Sequence, residues 1–351
     1  MLDTVPIGRG GLRAPVVAYG AAALGNLFHA LREDAWPAIV PAAWNGGVRL
    51  FDVAPHYGLG LAERRLGEAL RAFPRNEFLI STKVGRLLEP VEHRGRTDIE
   101  NLFAVPADHR RVPDYSRDGV LRSIEDSLCR TGLDRIDIVL VHDPDDHEEA
   151  ALRGAFPALS ELRDQGVITS FGAGMNQSGM LRRFIAETDS DVMMVAGRWS
   201  LLDQSAGREL LPAAEERGVS ILAAGVFNSG ILATDSPGEG VRFDYDAAPA
   251  HVIARARAIA FIARRHDRTL PELAAQFPLL HPAVSTVVLG AESRGQLERN
   301  CALLNRRVPA EVWAELEEEG LIDSNAVNGD TGRAAGVVAT PHGRTAQGVI
   351  R

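Results

Sequence analysis

The sequence is poor in cysteine: only Cys129 and Cys301 occur among its 351 residues. Neither has ligand-type spacing around it. A disulfide framework and a cysteine zinc site are therefore excluded, and two buried or half-buried thiols are expected. Positive charge is also short, with 38 Lys and Arg against 47 Asp and Glu, a net charge of −9. No basic stripe with interleaved aromatics is present, so nucleic acid is excluded as a partner. No apolar run approaches the ~18 residues needed to span a membrane. The start, Met1-Leu2-Asp3-Thr4-Val5-Pro6, lacks a charged segment ahead of an apolar one, so no signal peptide is expected and a cytoplasmic location follows by default. No short-period repeat marks a solenoid. Nor does any Gly-x-Gly-x-x-Gly follow a strand. Gly58-Leu59-Gly60-Leu61-Ala62-Glu63 comes nearest, but Glu63 stands where the third glycine belongs, which argues against a Rossmann dinucleotide site.

What the chain does contain is ordinary globular material, 45% hydrophobic and 24% charged, enough at this length to bury a core without staples. Short apolar runs alternate with helical patterns. The strand-like runs are Val48–Phe51, Glu77–Ile80, Ile136–Val141, Val167–Phe171, Val192–Val195, Val219–Ala223 and Ser285–Leu289. Helical spacing appears over Ala62–Ala72, Leu121–Arg130, Leu152–Arg163, Leu181–Ala186, Leu210–Arg217 and Val252–Arg265. Near-continuous apolar strands imply a sheet covered on both faces, hence parallel strands joined by helices. Seven or eight such units predict an α/β fold, a closed (β/α)8 TIM barrel in a single domain over residues 1–322. Residues 323–351 are rich in Gly, Ala, Thr and Asn and are expected to form a flexible tail. Arg86–Ser116 is rich in Pro, Arg, Asp and His; it is read as a long loop at the barrel mouth.

In such a barrel the C-terminal strand ends carry the chemistry. Asp52, Lys83 and His142 each stand where an apolar strand stops. Alone, Asp52 could cap a helix, Lys83 could extend its amine to solvent, and His142 could be a core histidine. Together they are harder to explain that way. Tyr57 follows Asp52 by five residues, in a turn marked by Pro55 and Gly58, and can fold back over the mouth. A phenol with pKa ~10 is a poor acid–base catalyst at neutral pH. A neighbouring ammonium, Lys83 held by Asp52, favours its phenolate. His142 can hydrogen-bond the same reacting oxygen. That set can move a proton at an alcohol or carbonyl without a metal.

The run Phe51-Asp52-Val53-Ala54-Pro55-His56-Tyr57-Gly58-Leu59-Gly60-Leu61-Ala62-Glu63-Arg64-Arg65-Leu66-Gly67-Glu68-Ala69-Leu70 resembles the first signature of the aldo-keto reductases, with Val53 where Thr is more usual. The resemblance covers roughly residues 5–322. It implies a barrel oxidoreductase with Asp52, Tyr57, Lys83 and His142 as its catalytic tetrad. It also implies a nicotinamide cofactor, NAD or NADP, extended along the barrel rim. A narrower resemblance is carried by Asp114–Ser123, Val141-His142-Asp143-Pro144-Asp145, Ala196–Gln204 and Phe227-Asn228-Ser229-Gly230-Ile231-Leu232. These are similar to the branch that holds L-fucose dehydrogenases, D-threo-aldose 1-dehydrogenases and pyridoxal 4-dehydrogenase. The branch implies a small-molecule substrate, an aldose oxidised at C1 to the lactone. Pyridoxal or a general aldehyde or ketone is the alternative. His56, Tyr115, Asp143 and Asn228 are candidate partners for sugar hydroxyls, and Trp199 a candidate for packing on a sugar face.

The resemblance places the nicotinamide carboxamide at Asn176. The Gln that many relatives direct at that amide falls on Ala196, and the usual stacking Tyr falls on Ala224. The adenosine end falls on Leu289–Asn300, with Gly290, Glu292, Ser293, Arg294, Gln296 and Asn300 as contacts. The helix beginning near Ser293 offers free amides to phosphate. A carboxylate at Glu292 suits a ribose hydroxyl and repels a 2′-phosphate, which favours NAD; Arg294 argues for NADP. Two other classes compete. His142-Asp143-Pro144-Asp145-Asp146-His147-Glu148-Glu149 is dense enough for a metal-dependent hydrolase or isomerase, but no second His/Asp cluster stands at another strand end, and no metal is expected. A non-catalytic, cofactor-binding regulatory subunit would be separated from an enzyme by a turnover assay. The sequence carries no signal of oligomeric state.

Overall fold

A run such as Ile138-Val139-Leu140-Val141 has no polar face, so it is stable only as a strand covered on both sides. The computed structural model, which describes residues 4–244 and 246–323, satisfies this with a closed barrel of parallel strands. The chain opens with an antiparallel hairpin, β1 (Thr4–Ile7) and β2 (Leu12–Pro15). The barrel strands β3 (Val17–Gly20), β4 (Leu50–Asp52) and β5 (Leu79–Val84) follow. An antiparallel ribbon, β6 (Arg86–Pro90) and β7 (His109–Pro113), then interrupts the alternation. The barrel resumes with β8 (Ile138–His142), β9 (Ser170–Met175), β10 (Val192–Ala196) and β11 (Ser220–Ala224). After a small ribbon of β12 (Arg242–Phe243) and β13 (Asp246–Ala247), β14 (Val284–Gly290) closes the ring by pairing with β3, Val287 opposite Val17 and Gly290 opposite Gly20.

Two apolar layers follow from the strand period of two. Ala18, Leu50, Ile138, Leu140, Val192, Met194, Leu222 and Val288 fill the barrel together with Ile7 and Ala14, so the hairpin plugs its N-terminal end. The alternate residues, among them Tyr19, Phe51, Ile80, Val139, Phe171 and Ile221, pack outward in the large cluster that includes the surrounding helices. The same parity decides where the polar residues go. Asp52 shares the face of Leu50, Lys83 that of Leu79, and His142 that of Leu140, so all three are directed inward at the C-terminal end of the barrel.

Two glycines of the signature allow close approaches that no side chain would permit. A Cβ on Gly67 would lie 1.9 Å from the Thr131 carbonyl, so helix Leu61–Leu70 can lie directly against helix Arg117–Thr131. Gly58, at φ +60°, would carry a Cβ 2.2 Å from the Gly25 carbonyl. That contact presses the turn holding Tyr57 onto the segment after β3. Glu63, the residue that breaks the glycine motif, is fully buried. It accepts from Thr82 and Arg130 and ties that helix pair to β5 beside Lys83.

The sequence and the fold differ at three places. The barrel strand Val17–Gly20 and the hairpin before it were not expected. Arg86–Ser116 is no structureless loop: β6 and β7 are built inside it, with Leu87 opposite Val112. Cys301 is buried as expected, but Cys129 is exposed, and both are free thiols. The expected tail, 323–351, lies outside the described residues except for Asp323. Among the described residues no helix is long and apolar enough to cross a membrane.

Candidate active site

The turn after β4 is closed by its own backbone, Tyr57 N–H to the Ala54 carbonyl at 3.1 Å and Gly60 N–H to Pro55 at 2.9 Å. It brings Tyr57, half-buried, over the inward ends of β4, β5 and β8. Beneath it Lys83, 2% exposed, donates to Asp52 Oδ2 at 2.7 Å and to the Val53 carbonyl at 3.1 Å. Its Nζ lies 4.9 Å from the centre of the Tyr57 ring. The His142 ring meets that of Tyr57 edge-on at 5.9 Å. Four residues spread over ninety positions of sequence thus share one end of the barrel.

Their electrostatics differ from the expectation in one respect. Lys83 does favour the Tyr57 phenolate, but burial works the other way and is larger, and Asp52 adds to it; the phenol is pushed up to about 12. Burial opposes the charge on Lys83, and Asp52 and Tyr57 more than restore it, so it stays an ammonium. Burial, with Lys83 and Arg86 nearby, holds His142 well below the ordinary histidine range. At neutral pH the site therefore combines a protonated phenol, a fixed ammonium and a neutral imidazole; the phenol can deliver a proton to an oxygen, and its phenolate fraction, which grows as pH rises, can receive one.

The other candidates divide. His56 stands at the mouth, its ring 5.6 Å from that of His142. Asp143, at φ 38°, pairs with Arg86 at 3.1 Å and lies 3.5 Å from His142 Nε2. Burial raises its carboxyl against the pull of Arg86. Asn228 is 4% exposed, and its Oδ1 has no hydrogen-bond partner among the described residues. Two expectations are corrected. Trp199 is buried against Phe277 and donates its indole N–H to the Pro278 carbonyl at 3.1 Å, so no face is left for a sugar. Tyr115, also buried, spends its hydroxyl proton on the carbonyls of His142 and Asp143 and supports that strand end instead.

Along the rim, Asn176 follows β9 directly and is half-buried. Glu292 and Ser293 follow β14, and Ser293 caps helix Arg294–Ala302 by accepting from the Gln296 N–H. Gln296 and Asn300 spend part of their capacity on the loop itself, the first accepting from Glu292 N–H at 2.8 Å and the second donating to the Gly290 carbonyl at 2.9 Å. A cleft of about 640 Å³ runs beside them, lined by Phe227, Gly290, Gln296, Arg299 and Asn300. A Cβ on Gly290 would meet nothing nearer than 3.9 Å. An open cleft, a helix start with unpaired amides and the unpartnered Asn228 Oδ1 fit a long dinucleotide laid over the rim. Among the described residues no three His, Cys, Asp or Glu side chains are grouped to hold a metal ion.

Residues from the ribbon and the connection between its strands were missed by sequence reasoning. Arg86, Asp98 and Arg111 are charged residues within a stretch without apolar period, so nothing local marked them as facing inward.

The Aldo/keto reductase family profile matches residues 16–319. A D-threo-aldose 1-dehydrogenase from a Pseudomonas species is 47% identical over 315 residues, covering 89% of this chain and 96% of the relative. A pyridoxal 4-dehydrogenase from Microbacterium luteolum is 41% identical over 334 residues, covering 90% and 97%. Among solved structures, a glycerol dehydrogenase from Gluconobacter oxydans superposes with a TM-score of 0.73 at 20% identity, covering 98% of this chain and 99% of that one; that likeness concerns the fold. With a matching profile over most of its length and relatives this similar, the chain belongs to the aldo/keto reductase family.

Proposed function

We propose that the protein oxidises a cyclic aldose, of the L-fucose or D-threo type, at its anomeric carbon to the lactone, with Tyr57, Lys83, Asp52 and His142 as the catalytic group. The carrying observation is the buried Lys83 ammonium, held 2.7 Å from Asp52 under the Tyr57 ring. A nicotinamide cofactor, when bound, supplies the acceptor for the hydride that leaves C1. Tyr57, as the phenolate that Lys83 favours, takes the proton of the anomeric hydroxyl, so the sugar loses two electrons and two hydrogens, one as hydride and one as the proton on Tyr57. Lys83 stabilises the charge on the phenol oxygen while it changes protonation. His142, neutral, orients the reacting oxygen. Asn176, Gly290, Ser293, Gln296 and Asn300 are the residues that would hold the cofactor; Asn228, read from the sequence as a partner for sugar hydroxyls, would offer its Oδ1, without a partner among the described residues, to the cofactor instead. His56 and Asp143 face the sugar hydroxyls. A site of paired donors and acceptors discriminates strongly, because a missing hydroxyl leaves a buried group unpaired.

The relative that acts on D-threo-aldoses supports this reading at 47% identity; the pyridoxal relative, at 41%, supports the runner-up. Incubation with NAD⁺ and L-fucose, D-arabinose, L-galactose or pyridoxal, followed by cofactor absorbance, separates them. Reduction with a sugar is expected, faster at mildly alkaline pH. No reduction with any sugar, but brisk consumption of reduced cofactor with simple aldehydes, overturns the aldose claim; binding without any turnover supports a regulatory subunit.

The cofactor preference is proposed as NAD. Glu292, about half exposed, lies 3.4 Å from His29, and a carboxylate on this loop would repel a 2′-phosphate. Arg294 is drawn away to Glu298 at 2.7 Å on its own helix. NAD⁺ should therefore show the higher kcat/KM. Glu292→Lys should shift the NAD⁺/NADP⁺ ratio toward NADP⁺ by about tenfold, the effect of one charge-assisted contact of ~1.5 kcal/mol. An unmodified protein that prefers NADP⁺ would sink this reading, with Arg294 as first suspect.

A further inference from the structure

The β6–β7 ribbon reaches across the mouth and places one guanidinium against the side chain that precedes Tyr57. Arg111 donates from Nε to His56 Nδ1 at 2.6 Å and from Nη2 to the His56 carbonyl at 2.9 Å. Its other edge forms a two-pronged pair with Asp98, Nη1 to Oδ1 at 2.8 Å and Nη2 to Oδ2. Asp98 is buried, its side chain 5% exposed, and Arg111 half-buried, its side chain 13% exposed. Asn101 donates to Asp98 Oδ1 at 2.8 Å and fixes the carboxylate in turn. A guanidinium N–H can only donate, so His56 Nδ1 must accept. A neutral imidazole has a single N–H, which is then on Nε2, on the ring edge turned away from Arg111. Phe103 closes another side of the ring, edge-on at 5.5 Å.

We propose that Asp98 and Arg111 are positioning residues that fix His56 as the tautomer carrying its proton on Nε2, so that it donates a hydrogen bond to an oxygen of the substrate next to the reacting carbon. This rests on the oxidation of a hydroxylated substrate given above and names the group that reads one of its oxygens. The charges facing His56 from the packed elements act together. Arg111 on β7, Arg86 on β6 and Lys83 on β5 are all cationic, and His142 on β8 is neutral. With burial as the largest cause, they hold the His56 imidazole down to about 3. His56 is thus a permanent donor across the working pH range, a role in which an ionising histidine would fail by changing charge. Arg fits the role better than Lys, because only its fork reaches Nδ1, the carbonyl and the carboxylate at once.

The test uses nitrogen-15 histidine labelling of the full chain, with His56→Gln to assign the signal. In the resting protein His56 should show one protonated nitrogen, Nε2, unchanged from pH 5.5 to 9. Arg111→Lys should abolish that fixed pattern, so that the Nδ1–H and Nε2–H tautomers appear together while the ring stays neutral. In steady state the same variant should raise the KM of the aldose about tenfold, with kcat changed less than threefold. Asp98→Asn should do the same more weakly. In a His56→Gln background Arg111→Lys should add nothing. If His56 carries its proton on Nδ1, or Arg111→Lys folds with an unaltered nitrogen-15 pattern and KM, the proposal is overturned. A protein that oxidises no aldose yet shows the fixed Nε2–H would overturn the substrate reading and the hydrogen bond to substrate, leaving only the tautomer lock.

Discussion

Tyr57→Phe should lower turnover by roughly 10²–10⁴-fold while leaving cofactor affinity close to that of the unmodified protein. The ring is retained, and with it the contacts to Phe103 at 6.1 Å and His142 at 5.9 Å. What goes is the oxygen that exchanges a proton with the substrate. Lys83 keeps its bonds to Asp52 and Val53, so the barrel end should not rearrange. Turnover and cofactor titration on the same preparation therefore separate loss of chemistry from loss of binding. The pH profile gives a second check. The phenol is pushed up to about 12, so its deprotonated fraction rises about tenfold per pH unit through the neutral and mildly alkaline range. Oxidation by the unmodified enzyme should climb accordingly, and the residual activity of Tyr57→Phe should not. Near-normal turnover of the variant would remove Tyr57 from the proposed mechanism.

The parts of the site that were legible in the sequence share one property: each lies on or beside a strand whose apolar period shows where it points. Asp52, Lys83 and His142 end the runs Leu50–Phe51, Leu79–Thr82 and Ile138–Val141, and the period of two sends them inward whatever the rest of the chain does. Tyr57 was legible through Pro55, Gly58 and the signature around them. Val17–Gly20 was missed because four residues ending in glycine carry too little pattern, and only pairing with β14 and β4 makes them a strand. Trp199 and Tyr115 were misjudged for a different reason. Composition shows that an aromatic residue has a polar end, but not which carbonyl will take its proton. That is decided by Pro278 and by the His142 strand end, seventy-nine and twenty-seven residues away. The ribbon was hardest to see. The charged residues of the ribbon and of its connection imitate a solvated loop, yet Asp98 is buried and Arg111 half-buried as an ion pair, and such a pairing has no one-dimensional trace.

Lys83→Met should cost both activity and stability, for separable reasons. Lys83 and Asp52 are almost wholly buried, and the ammonium is the group that neutralises Asp52, whose Oδ1 already lacks a partner among the described residues. Deleting one member of a buried pair leaves a charge in a poor dielectric, at a cost of ~3–5 kcal/mol, visible as a lower urea midpoint with an unchanged slope. Asp52→Asn in the same chain removes that stranded charge, so the double variant should recover much of the lost stability. It should not recover turnover, because the phenol still lacks its ammonium. The remaining activity locates the second effect. Lys83 lowers the Tyr57 phenol against the upward push of burial, so without it the alkaline limb of oxidation should move to higher pH. A Lys83→Met protein with the urea midpoint of the unmodified enzyme would mean that Asp52 is neutralised by something other than Lys83. An unmoved limb in a still active variant would mean that the ammonium acts on position alone and not on the charge of Tyr57.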